Sequence, residues 1–137
     1  MIVDSSIWIE FLSRRPSTVA RSVRGFLAAG GGVYLTASIL QEVLQGSRDK
    51  AQLEALERVM AVFPMCEPVD MRKAAREAGA LYARCRWQGI TIRSPNDCLI
   101  AVIAIEAGKP LMARDRDFVH LRSLDPRLQL VDVPSGP

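Results

Sequence analysis

Asp4, Glu42, Asp97 and Asp115 come from four distant parts of the chain, and carboxylates of this kind, gathered together, can hold a hard divalent cation. Each also has an ordinary structural role open to it. Asp4 ends the short apolar run Ile2-Val3, where an acid can reach the crevice beyond a strand or simply cap the next helix, as Ser5 or Ser6 could. Glu42 lies off the apolar face made by Ile39, Leu40, Val43 and Leu44, as a solvated helix residue would. Asp97 stands three residues after Ser94 in Ser94-Pro95-Asn96-Asp97, the place of a capping-box acid. The run it precedes, Cys98 to Ile105, is apolar around its whole circumference, so a carboxylate at its mouth is desolvated and needs a positive partner. Asp115 and Asp117 follow another apolar run in Ala113-Arg-Asp-Arg-Asp-Phe118, where acids often only form turns.

Brought to one edge of one sheet, these acids would repel and raise each other's pKa. A divalent ion removes that cost, and an all-oxygen donor set selects Mg²⁺ or Mn²⁺ over zinc. Such an ion can orient a scissile phosphate, lower the pKa of a water and stabilise a departing oxygen. Other chemistries are poorly served. His120, the single histidine, sits between Val119 and Leu121 and reads as structural, and neither G-x-x-x-x-G-K-[ST] nor G-x-G-x-x-G occurs. Trp8 and Trp87 could stack bases; the setting of Trp8 favours core packing, and that of Trp87 leaves both roles open.

The elements that must position the acids alternate in type. Short β-branched or apolar runs at Ile2-Val3, 33–36, 66–69, 111–113 and 128–131 are separated by helical patterns, which implies a parallel sheet with helices on both faces. Leu53, Leu56, Met60 and Phe63 recur at helical spacing, and Asp70 can cap a helix running from Met71 to about Trp87. Gly30-Gly31-Gly32 ends an earlier helix before the second run. There is no repeat and no dividing linker, so residues 1–133 form one expected domain and 134–137 a frayed tail.

At 137 residues the chain can bury roughly two-thirds of its unfolded surface in a single core. Its longest wholly apolar run, Cys98 to Ile105, is far short of the ~20 residues that cross a bilayer. The first residues do not read as a signal peptide, so a cytoplasmic location is expected. Cys66, Cys85 and Cys98 are odd in number and lack C-x-x-C pairing, as buried thiols would. Net charge is +3, and the basic residues are Arg apart from Lys50, Lys73 and Lys109. That balance permits a nucleic-acid partner without demonstrating one, since Arg-rich composition also follows genome base content.

Asp4-Ser-Ser-Ile-Trp-Ile9, then Glu42, then Asn96-Asp97 leading an Ala-rich apolar helix, then Asp115-Arg-Asp-Phe118, together resemble the PIN-domain family over almost the whole chain. More narrowly the chain is similar to VapC-type toxins, the ribonucleases of bacterial type II toxin–antitoxin pairs. The resemblance implies an α/β fold in three layers, α/β/α, with a central parallel sheet, and Mg²⁺- or Mn²⁺-dependent cleavage of RNA such as tRNA or rRNA. It also implies a small co-encoded antitoxin, VapB-like, and a homodimer, with no membrane. Asp4, Glu42, Asp97 and Asp115 would be the metal-binding catalytic acids, Asp117 an auxiliary acid and Ser6 a hydroxyl supporting the first; Arg93, Arg114 and Arg116 would steer the RNA backbone. The family often has Thr or Ser where this chain has Ala113, so a supporting hydroxyl is missing there. Two alternatives remain. One is a phosphatase-like hydrolase built on Asp115-x-Asp117, although such a pair usually follows the first strand. The other is a degenerate domain that only binds RNA or a protein partner, against which the intact acids speak.

Overall fold

A computed structural model describes residues 1–13 and 15–133; the tail expected to fray, 134–137, lies outside them. Within the described residues three two-residue strands, β1 (Ile2–Val3), β2 (Leu111–Met112) and β3 (Leu130–Val131), lie side by side in that order and are all parallel. Ile2 pairs with Leu111 and Val3 with Met112, and these in turn with Leu130 and Val131. On the far flank of β1 the sheet is carried on by single parallel bridges, Ile2 to Tyr34 and Leu35 to Met65. Five segments are thus aligned in the order 65, 34–35, 2–3, 111–112, 130–131.

Among the described residues seven helices connect them: α1 (Ser5–Leu12), α2 (Thr18–Ala28), α3 (Ala37–Gln45), α4 (Lys50–Met60), α5 (Met71–Trp87), α6 (Pro95–Ala107) and α7 (Asp117–Leu124). Connections between parallel strands are right-handed. Stepping outward from 2 to 65 places α1 to α4 on one face, and stepping back to 111 and 130 places α5 to α7 on the other, which makes the three layers. The packing agrees, since α1 contacts α2 and α3, α3 contacts α4, and α5, α6 and α7 contact one another.

The sequence marks burial better than it marks pairing. The runs at 33–36 and 66–69 were expected to be strands, yet among the described residues the first contributes only single bridges at Tyr34 and Leu35, and the second none, because its bridge falls on Met65, just before the run. Cys66 donates its amide to the Leu35 carbonyl at 2.6 Å, after which the chain leaves the sheet. Pro68 has no amide to continue the ladder, and Val69 is 94% exposed. At 111–113 and 128–131, likewise, only Leu111–Met112 and Leu130–Val131 pair among the described residues.

Helix starts follow local chemistry. Ser17, Thr36, Asp49 and Asp70 each accept a backbone amide from three residues on, at the N-caps of α2, α3, α4 and α5. Ser94 occupies the N-cap of α6 with Pro95 at the first helical position, as expected, although its hydroxyl makes no capping hydrogen bond among the described residues. Gly108 closes that helix in the left-handed conformation, φ 62°. As its uniform composition requires, α6 is the central buried helix, with Asp97, Cys98 and Ile100 to Ala104 all inside.

Trp8 is fully buried against Phe11 and Phe63, ring centroids 5.8 and 4.8 Å away, in the core role expected of it. Cys66, Cys85 and Cys98 are free and buried, and burial pushes the Cys98 thiol up to about 12. No helix among the described residues is long and apolar enough to cross a membrane.

Candidate metal centre

Because the sheet is parallel, every strand ends at the same edge, and the acids arrive there from four parts of the fold. Asp4 follows β1 directly and serves as the N-cap of α1. Asp115 and Asp117 follow β2. Asp97 comes from the first turn of α6, which runs back across the sheet before β2 and so starts at the edge where β2 ends. Glu42 belongs to α3, which sets off from the same edge after the bridge at Leu35.

The tightest group is Asp97, Asp115 and Asp117, whose nearest carboxylate oxygens all lie within 4.8 Å of one another. Asp117, expected as an auxiliary acid, is only 4% exposed and belongs to this group, while Asp4 and Glu42 stand outside it. The reason lies in the backbone. Asp115 Oδ1 accepts the Asp117 amide at 2.9 Å, a turn that folds Asp117 inward at the start of α7. Asp117 Oδ2 then accepts the Arg93 amide at 3.0 Å. The turn-forming role of these acids and their gathering are therefore one arrangement.

Asp97 nonetheless feels the other four acids. The Asp97 carboxyl is pushed up to about 7, first by burial and then by the charges of Asp4, Asp115, Glu42 and Asp117. Burial likewise raises Asp4, and Glu42 adds to the rise while the Ser6 hydroxyl opposes it. Ser6 Oγ donates to Asp4 Oδ2 at 3.1 Å. Ser5, not singled out beyond a capping role, donates to Glu42 Oε2 at 2.5 Å. Successive helix positions point about 100° apart, so the adjacent hydroxyls reach two different acids. The Ser5-Ser6 pair after Asp4 was the signal for both.

Beside Asp115 and Asp117 lies an open depression lined by these two acids with Thr91, Arg93, Arg114, Arg116 and His120. Two of the three arginines expected to meet RNA are engaged with acids. Arg93 Nη2 lies 3.0 Å from Asp115 Oδ1 and its Nε 3.6 Å from Asp117 Oδ2, while Arg114 Nη2 lies 2.6 Å from Glu10 Oε2. Arg116, at the N-cap of α7, is exposed. His120 lines the same depression as Asp115 and Asp117.

The donor set is carboxylate oxygen throughout the group, with neither imidazole nor thiolate. A buried acid that desolvation and its neighbours' charges keep from ionising, as Asp97 is, fits a divalent cation, because the ion's charge removes the repulsion and the desolvation cost together.

A PIN domain family model matches residues 1–124. Among curated proteins, VapC ribonuclease Mb1587 of Mycobacterium bovis and ribonuclease VapC11 of Mycobacterium tuberculosis are each 34% identical to this chain over 119 residues, covering 86% of it and 88% of the relative. Among solved structures, VapBC-1 from nontypeable Haemophilus influenzae shares the fold with a TM-score of 0.73 at 20% identity, over 96% of both chains. VapBC2 from Rickettsia felis, bound to a DNA fragment from its promoter, gives 0.71 at 18% identity, over 95% of this chain and 96% of that one. Strand order, acidic edge and sequence kinship converge, and the chain belongs to the PIN-domain family, among its VapC ribonucleases.

Proposed function

We propose that this chain is a divalent-cation-dependent endoribonuclease, the toxin of a toxin–antitoxin pair, which hydrolyses phosphodiesters of tRNA or rRNA in the cytoplasm. The observation that carries this reading is Asp97, a carboxyl buried at the mouth of an apolar helix and facing four further acids. Asp97, Asp115 and Asp117 would hold Mg²⁺ or Mn²⁺, with Asp4 and Glu42 completing the acidic wall. The bound ion supplies a water of lowered pKa and a counter-charge for the phosphoryl oxygens. The chain's own groups do the rest. Ser6 and Ser5 fix the orientations of Asp4 and Glu42. With Oε2 taken by Ser5, Glu42 presents Oε1 to accept a proton from the attacking water. Arg116, joined by Arg93 and Arg114, flanks the depression with cations for the RNA backbone.

The solved neighbours are VapB–VapC pairs. A small VapB-like antitoxin and a homodimeric toxin are the partners this reading assigns. The phosphatase-like alternative has less behind it, because Asp115-x-Asp117 follows β2 and closes on Asp97 from another helix. The test is cleavage of end-labelled RNA by the purified chain with Mg²⁺ or Mn²⁺ and with EDTA. Asp97→Asn should cut the rate about a hundred-fold or more while leaving the circular dichroism unchanged. Undiminished cleavage by that variant, or in EDTA, would sink the proposal.

A further inference from the structure

Trp87 is 77% exposed, in contrast to the fully buried Trp8. It ends α5, and the direction of α5 decides what lies beside it. The first half of α5 borders the end of α6, for Lys73 and Glu77 share a cleft with Ile105 and Glu106. The last turn borders the beginning of α6, where Cys85 is buried near Cys98 and feels the charge of Asp117. The two helices are therefore antiparallel, and α5 delivers Trp87 to the acidic edge. From Trp87 the chain turns at Gly89, φ 77°, and reaches Arg93, whose amide binds Asp117. That stretch spans at most about 20 Å.

At 3.6 residues per turn, Arg72, Arg76, Gly79, Ala83, Arg86 and Trp87 lie along one side of α5. No acid interrupts this side. The three arginines form no ion pair among the described residues, and a Cβ added at Gly79 would meet nothing within 4 Å. A cationic strip, shallow in the middle and ending in an exposed indole, has the chemistry of a single-strand path, with phosphates on guanidinium groups and a base on the aromatic face. A second copy of this chain is the competing occupant. Two such strips facing each other across a two-fold axis would set arginine against arginine.

Resting on the ribonuclease reading above, we propose that Trp87 is a substrate-positioning residue, its indole stacking on an unpaired RNA base while Arg72, Arg76 and Arg86 hold the adjoining backbone. The strip then orients the strand as it enters the acidic edge. The experiment uses the full chain carrying Asp97→Asn, so that the probe survives, and single-stranded oligoadenylate as that probe. Titration quenches the emission of the exposed tryptophan, and Trp87→Phe removes the quench. By polarisation of labelled oligoadenylate, Trp87→Ala weakens binding about 5- to 100-fold, and Trp87→Phe recovers most of the loss. Arg76→Gln lowers the slope of log affinity against log salt by about one. With Asp97 intact, Trp87→Ala raises KM for long single-stranded RNA and leaves kcat nearly unchanged. Failure of the unaltered chain to cleave RNA defeats the ribonuclease reading itself. Cleavage by that chain, with affinity and KM unmoved in Trp87→Ala, overturns the role of Trp87 alone. A change of assembly mass by light scattering, with RNA affinity unmoved, overturns it in favour of a copy interface.

Discussion

A carboxyl that keeps its proton to about pH 7, as Asp97 does, ties the stability of the fold to pH in a direction opposite to most acids. Its folded pKa lies above its unfolded value, so between the two the folded state binds more protons, and stability falls as pH rises through that window. In EDTA, thermal unfolding should therefore drop in Tm from pH 5 to pH 8 by on the order of 5 °C, and Asp97→Asn should flatten the drop. A Tm that climbs over that range in the parent chain would contradict the burial argued for Asp97. This burial was readable in the sequence, because an all-apolar helix has no outside for its first turn to face. The place of Asp117 was not, since it depends on the Arg93 amide arriving from a separate loop at 3.0 Å. The division of Ser5 and Ser6 between two acids was equally hidden, because Glu42 comes from a different helix.

Among the elements, α6 carries the site, and its ends are set by two residues of opposite character. Pro95 fixes the first turn without needing a hydrogen-bond partner for its nitrogen, and Gly108 stops the last one at φ 62°. Gly108→Ala meets no steric neighbour, so its cost is the left-handed backbone alone, about 1–2 kcal/mol. Urea denaturation reads this as a lower midpoint at unchanged m. A neutral result would show that the turn can relax. The helices around α6 were legible through caps such as Asp70 and through periodicity. α7 was not, because Asp115-Arg-Asp117 reads as a turn, and the turn is also the beginning of the helix. The strands were legible only as buried runs. β-branched composition reports a dry surface, whereas pairing depends on which neighbour's amides are within reach, and proline at 68 removes one of them.

For the molecule as a whole, the parallel order of the strands turns scattered acids into a single feature, which is why the fold class could be read from the alternation of runs and helices. Ligation couples that feature to global stability. At a Mn²⁺ concentration a hundred times its dissociation constant, unfolding should cost about 2.7 kcal/mol more than in EDTA, and Asp97→Asn should erase most of the gain. Differential scanning calorimetry at pH 7.5 measures both, and an equal gain in the variant would mean that the ion binds elsewhere. The border of the sheet at Met65 has a different consequence. Proline precedes that residue, another lies three places beyond it, and the intervening Cys66 amide is already taken by Leu35. A stray extended peptide arriving at this margin meets one bridged residue between two prolines, too short a strand to register against. The molecule can thus leave Val62 and Val69 bare to solvent there without offering a template on which fibrils could grow.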